Sequence, residues 1–170
     1  NVLWAKKIQS PGNDTAKDFV FSPEGEGLLL YQSATNPSVL IRLDTNGNVL
    51  SQRSYNSPFK KIASGPDKSA YLSVEAAGGQ IAVFRVDSLN NGIWYRHIQA
   101  PTMLSNYYKL LTGFVSLPNG SVALSTWDDG GSIYPEDQFN ILYPQTCGRI
   151  YIISPKGEVS WGKGTSNEEL

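Results

Sequence analysis

Phe114-Val115-Ser116-Leu117-Pro118-Asn119-Gly120-Ser121-Val122-Ala123-Leu124-Ser125 reads as two short apolar strands joined by a tight turn. Pro118 sets φ, and Asn119-Gly120 tolerates a positive φ, so the chain can reverse there at little cost. The same pattern occurs twice upstream. Phe19-Val20-Phe21-Ser22-Pro23-Glu24-Gly25-Glu26-Gly27 runs into Leu28-Leu29-Leu30-Tyr31, and Ile62-Ala63-Ser64-Gly65-Pro66-Asp67-Lys68-Ser69 runs into Ala70-Tyr71-Leu72-Ser73-Val74.

A second hairpin follows each of these. Val39 to Asp44 turns through Thr45-Asn46-Gly47 into Asn48-Val49-Leu50. Gln80 to Asp87 turns through Asn90-Asn91-Gly92 into Ile93-Trp94-Tyr95. Arg149 to Ser154 turns through Pro155-Lys156-Gly157 into Glu158-Val159-Ser160-Trp161. Asn-Gly and Pro-x-Gly between alternating apolar residues are hairpin signals. The unit is thus a four-stranded antiparallel meander marked by Gly47, Gly92 and Gly157. The first interval is about 45 residues, the length of a propeller blade, and the second is about 20 residues longer. Such a sheet cannot bury both faces alone, and stacking sheets around an axis buries them against one another.

The expected fold is therefore all-β: about three four-stranded antiparallel β-propeller blades plus an orphan N-terminal outer strand. Residues 1–12 form that strand, since Asn1-Val2-Leu3-Trp4-Ala5-Lys6-Lys7-Ile8 aligns Trp4 with Trp161. Residues 13–56, 57–99 and 100–164 form the blades, the last with an insertion at 128–147, and residues 165–170 form a tail. Leu28-Leu29-Leu30 and Val122-Ala123-Leu124 suit inner or second strands. Ser51-Gln52-Arg53 and Tyr95-Arg96-His97 suit exposed outer strands. Met103 to Leu111 reads as a connection between blades with at most one turn of helix. Three blades are too few for a ring, for which roughly 4 to 8 is usual. The chain reads either as a fragment of a longer protein, which the absence of an initiator Met favours, or as one of several chains that close the ring together.

The 170 residues carry a net charge of -1 and only 17% charged residues. Lys6, Lys7, Lys60 and Lys61 come as isolated pairs, which argues against nucleic acid. No apolar run reaches the roughly 20 residues that span a bilayer. Cys147 is a lone cysteine, so an internal disulfide framework and a multi-cysteine zinc site are excluded.

Leu43-Asp44-Thr45-Asn46-Gly47-Asn48-Val49-Leu50 and Ile153-Ser154-Pro155-Lys156-Gly157-Glu158-Val159-Ser160-Trp161 resemble the outer hairpin of bacterial-type β-propeller repeats, as in pyrroloquinoline-quinone-type and related blades. Those blades carry an Asp, a turn Gly and a Trp a few residues later. Trp4 and Trp161 match the Trp position, Ser51 replaces it in the first unit, and Trp94 sits elsewhere in the second. The resemblance implies the blade architecture and no catalytic residues.

The third unit's extra residues are the functional lead. Trp127, Asp128, Asp129, Tyr134, Glu136, Asp137 and Asn140 combine carboxylates, aromatics and an amide around Gly130-Gly131. Read as a loop, such a set suits a protein or sugar contact. Its carboxylates with Asn140 could ligate calcium, although the EF-hand spacing is absent. No other cofactor is implied. A pair such as Asp128 and Glu136 could serve a glycosidase only across a cleft. His97 is the lone histidine and is expected on the surface of an outer strand, and Cys147 is expected to be a buried thiol. The Tyr107-Tyr108 pair is expected to pack between blades. The function expected is a non-catalytic binding or scaffolding segment of a larger extracellular, cell-surface or virion assembly, partnered by other blades of the same precursor or of another chain. The alternatives are a fragment of a propeller enzyme (quinone-type or carbohydrate-active) and a glycan-binding adhesin.

Overall fold

The computed structural model of the protein describes residues 5, 7, 12–76, 80–98, 108–133 and 142–165, and every regular element among them is a strand. The first sheet comprises β1 (Thr15–Phe21), β2 (Gly27–Gln32), β3 (Ser38–Leu43) and β4 (Val49–Tyr55). The second comprises β5 (Phe59–Ser64), β6 (Ala70–Ala76), β7 (Gln80–Val86) and β8 (Gly92–Ile98). The third comprises β9 (Tyr108–Ser116), β10 (Val122–Ile133), β11 (Leu142–Ile153) and β12 (Val159–Thr165). Each is a four-stranded antiparallel meander, paired in chain order. The proposed N-terminal strand, residues 1–12, lies almost wholly outside the described residues.

The sheets stack in sequence and do not close a ring. Neighbouring sheets approach through their first strands, β1 against β5 and β5 against β9, so these strands lie innermost. Asp18 Oδ2 accepts the Ile62 amide at 3.0 Å across the first junction. Leu28, Leu30 and Leu40 pack against Ile62, Ala70 and Leu72 between the first and second sheets. Tyr71, Ile81 and Val83 pack against Val122, Leu124 and Ile153 between the second and third. Each such aliphatic side chain contributes about 1.5–3 kcal/mol on burial. Strands β3 and β6 are the most buried. The fourth strands β4 and β8 are largely exposed, as the polar Ser51-Gln52-Arg53 and Tyr95-Arg96-His97 require.

Five of the six first and second hairpin turns share one hydrogen-bond pattern. In each, the first turn residue receives the amide three positions on and donates its own amide to the carbonyl four positions on. Asp44 with Gly47 and Asn48 is one case, and Asp87 with Asn90 and Asn91 is another. The fourth residue is left-handed: Gly25, Gly47, Asn90, Gly120 or Gly157. The second sheet's first turn differs. Asp67 and Lys68 both have positive φ, and the Ser69 amide bonds to Pro66 O at 2.9 Å, the geometry of a type I′ turn.

Four expectations are corrected. Gly92 does not mark the repeat: Asn90, at φ 66°, occupies the position of Gly47, and Gly92 begins β8. Asn tolerates this conformation, so the sequence hid the repeat behind a non-glycine. Counting from Asn90 also moves Trp94. Ser51 pairs with Arg42, Trp94 with Arg85 and Trp161 with Ile152, so Trp94 occupies the Trp position after all. Residues 128–133 and 142–147 are not loop. They continue the ladder from Trp127↔Gly148 to Ile133↔Leu142 and extend β10 and β11 to 12 residues each. Gly130-Gly131 weakens a strand without ending it, and pairing satisfies the backbone groups a loop would leave to solvent. The longer β10 also gives Tyr108 to Leu111 a partner, so these residues are strand β9 rather than connection or helix.

Candidate functional site

In a meander the first and third turns of each sheet lie at one end and the second connection at the other. The three first turns meet at the inner end of the stack and line an open cleft of about 330 Å³. Pro23 and Glu24 come from the first sheet, Ser64, Gly65 and Pro66 from the second, and Ser116, Leu117, Pro118, Asn119 and Gly120 from the third. One proline from each sheet, the second residue after its first strand, lines this space.

The cleft is held in shape from beneath. The Ser64 and Ser116 hydroxyls hydrogen-bond at 3.1 Å, joining β5 to β9 at the floor. Tyr71 donates its phenol hydrogen to Gly120 O at 2.6 Å, and burial raises the Tyr71 pKa. Gly120 has φ 79°, and a Cβ there would lie 3.1 Å from Pro66 Cγ, so the turn needs glycine for both its conformation and its neighbour. Glu24 is the ionisable group of the lining. A hydrogen bond from Ser22 chiefly holds its carboxyl below the usual carboxylate range, so it stays an anion. Beside the cleft Lys68 Nζ reaches Glu26 Oε1 at 2.8 Å from the second sheet to the first, a bond that raises the lysine pKa. The lining therefore offers apolar proline rims, hydroxyls and turn backbone. It suits a partner that brings both apolar contact and hydrogen-bonding groups.

The sheets are clamped further out by a repeated device. Arg42, on β3, is almost fully buried and reaches the β7–β8 turn. Its guanidinium donates to Asn90 Oδ1 at 2.7 Å and to Asp87 O at 2.8 Å. Burial lowers its pKa. Arg85, the matching residue of β7, donates to Pro155 O at 2.7 Å in the β11–β12 turn. Trp94 Nε1 donates to the same carbonyl at 2.9 Å, and Arg96 Nε to Gly157 O at 2.5 Å.

The residues singled out from sequence lie at the other end of the third sheet. Trp127 is exposed on β10. Asp128 and Asp129 pair in the ladder with Cys147 and Thr146. Tyr134, Glu136, Asp137 and Asn140 lie outside the described residues, as does Tyr107. Among the described residues no group of three or more His, Cys, Asp or Glu could hold a metal ion. His97 is exposed on β8, edge-on to the Tyr95 ring at 5.5 Å. Sequence reasoning missed the cleft because Pro23, Pro66 and Pro118 were each accounted for as turn formers. It missed the clamps although a signal was present: one arginine near the end of the otherwise apolar third strand in the first two sheets, Leu40-Ile41-Arg42-Leu43 and Val83-Phe84-Arg85-Val86.

No protein-family model matches the sequence, and no curated protein matches it. Solved structures match in fold. The eukaryotic initiation factor aligns over 95% of this chain and 35% of its own, at 13% identity and a TM-score of 0.57. BBS1N, solved in complex with ARL6DN, aligns over 94% of this chain and 44% of its own, at 14% identity and a TM-score of 0.51. This chain thus spans less than half the length of either. Identities this low show the fold alone, and the pyrroloquinoline-quinone-type likeness stays one of the outer hairpins. The neighbours are propeller-type folds, and this chain is three consecutive propeller-like blades.

Proposed function

We propose that the chain is a non-catalytic segment of a larger β-propeller assembly and that its cleft at the inner end of the stack binds a segment of a partner protein. The observation that carries this reading is the make-up of the cleft: one turn proline from each blade around a floor of paired serine hydroxyls. Such a lining holds an extended or turn segment by apolar contact and backbone hydrogen bonds, and its lone carboxylate is exposed and ionised. The BBS1N structure, a fold neighbour in complex with another protein, supports a protein partner. The low charge and the Ser, Asn and aromatic content support an extracellular, cell-surface or virion setting.

The test uses peptides selected against the intact chain from a random-sequence library, mapped by amide chemical-shift changes. Selected peptides should perturb Gly65, Ser116 and Gly120, and Ser116→Leu should weaken binding at least tenfold while the fold is kept. Peptides that map elsewhere, or turnover of any substrate at the cleft, would overturn the reading.

A further inference from the structure

One side of each blade faces the blade that follows, and the ladders show which positions lie there. Leu28, Tyr71 and Ala123 are equivalent by register, as are Arg42, Arg85 and Ile152, and Leu40, Val83 and Ile150. Val20, Ala63 and Val115 stand beside the first set on the first strands. In the first two blades this side is covered. Leu28, Leu40, Tyr71 and Val83 are fully buried, and Val20 and Ala63 pack into the junctions. In the third blade Ile150 is 47% exposed and Val115 57%. Trp127, on the same side of β10 as Ala123 and Ser125, is 49% exposed. The far side of the first blade differs: Tyr31, Val39, Ile41 and Leu43 are buried together within the chain. Its exposed phenylalanines, Phe19 and Phe21, stand on the innermost strand.

We infer that the outward side of the third blade seats a fourth four-stranded blade, which follows β12 in the same polypeptide. The inference rests on the reading of the chain as a segment of a larger propeller, and it is independent of the cleft. The occupant is the one that continues the two junctions already made. In each of them the covering sheet is the next along the chain. It offers the side that carries Ile62, Ala70 and Leu72 in one case and Val122, Leu124 and Ile153 in the other. The first blade of a second copy cannot offer that side, because Tyr31, Val39, Ile41 and Leu43 already occupy it and are covered. The open side is also ready for burial in its polar groups. The Ser125 and Thr112 hydroxyls meet at 2.9 Å, so a covering sheet leaves neither without a partner. Two replacements state what the fourth blade brings. Ile152 stands in place of the clamp arginines, so the fourth blade's outer turn meets an apolar side chain rather than aiming a carbonyl at a guanidinium, as Asp87 and Pro155 do. Ala123 stands in place of Leu28 and Tyr71, so close packing there takes a bulkier side chain from the fourth blade.

Hydroxyl-radical labelling of Trp127, read by mass spectrometry, tests this by comparing the 170-residue chain with the full-length polypeptide that contains it. Trp127 should react at least tenfold more slowly in the full-length polypeptide. Trp94, already held within the chain by its bond to Pro155 O, should react equally in both. Ile150→Asp should leave the urea stability of the 170-residue chain nearly unchanged and lower that of the full-length polypeptide. Val115→Lys should do the same from the first strand, with circular dichroism as the check on folding. Three results would overturn the inference: equal reactivity of Trp127 in both, protection in the 170-residue chain that grows with its concentration, and protection cross-linked to a segment that precedes β1. Equal reactivity in a polypeptide that does hold further blades would sink this inference alone. A full-length polypeptide without another blade would sink the larger-propeller reading with it.

Discussion

Arg42 Nε donates to Oδ1 of Asn90 at 2.7 Å, and Asn90 itself holds the left-handed backbone of the next blade's outer turn. One side chain thus joins a strand of the first blade to the turn that ends β7. Asn90 Nδ2 donates to Ser51 Oγ at 3.0 Å, and Tyr55 donates its phenol hydrogen to Asn90 O at 2.7 Å. Every strong polar group of this fully buried asparagine is met from the preceding blade or its own turn.

Replacing Arg42 by Met should destabilise the fold by about 2 to 3 kcal/mol, since Asn90 Oδ1 and Asp87 O would lose a charged donor in a buried site. Arg85→Met should cost less. Arg85 is only half-buried, and Pro155 O keeps its bond from Trp94. Urea unfolding of the two variants measures the difference directly.

At Asn90 the backbone and side-chain contributions can be separated. Asn90→Gly keeps the left-handed turn and loses the bonds to Arg42 and Ser51. Asn90→Ala loses both, and should be less stable than the glycine variant by about 1 kcal/mol. Equal stabilities in thermal unfolding would mean that φ 66° costs alanine nothing there.

Burial pushes the Tyr55 phenol up to about 12 from its ordinary value of 10.0. The folded state therefore holds this proton more tightly than the unfolded chain. Its contribution is complete below about pH 10 and is lost as pH rises toward 12. Stability should fall over that window, and Tyr55→Phe should flatten part of the fall in denaturant titrations at stepped pH. At neutral pH the same variant should cost about 1 kcal/mol for the lost bond to Asn90 O.

Ser73 Oγ is buried in the second blade with no hydrogen-bond partner. Its neighbours across the junction are apolar. Ser73→Ala should be neutral or stabilising by up to about 1 kcal/mol, because it removes a desolvated hydroxyl and almost no volume. A clear loss of stability in urea unfolding would reveal an unseen partner for the hydroxyl.

Much of the architecture was legible in the sequence because strand and turn signals are local. Ser22-Pro23-Glu24-Gly25 and Ser154-Pro155-Lys156-Gly157 declare their turns within four residues, and the β-branched and apolar run Val39 to Leu43, bounded by turn residues, declares a strand within five. The readings that failed were also local in appearance. Gly92 looked like the turn glycine because Asn90 gives no comparable signal, and Gly130-Gly131 looked like a loop because the partner strand at residues 142–147 is not adjacent in sequence. The candidate site was hardly legible at all. Its prolines and serines come from three turns far apart in the chain.

What the amino-acid sequence determined by itself was the unit: four antiparallel strands, repeated three times, with turns whose residues adopt the required φ. These depend on backbone sterics and side-chain alternation over a few residues. The stacked structure alone decided which side of each sheet meets its neighbour, that Arg42 and Arg85 become clamps, and that Pro23, Pro66 and Pro118 share a cleft. Those relationships arise only when burial of the apolar faces drives one blade onto the next, so no spacing within a single blade encodes them.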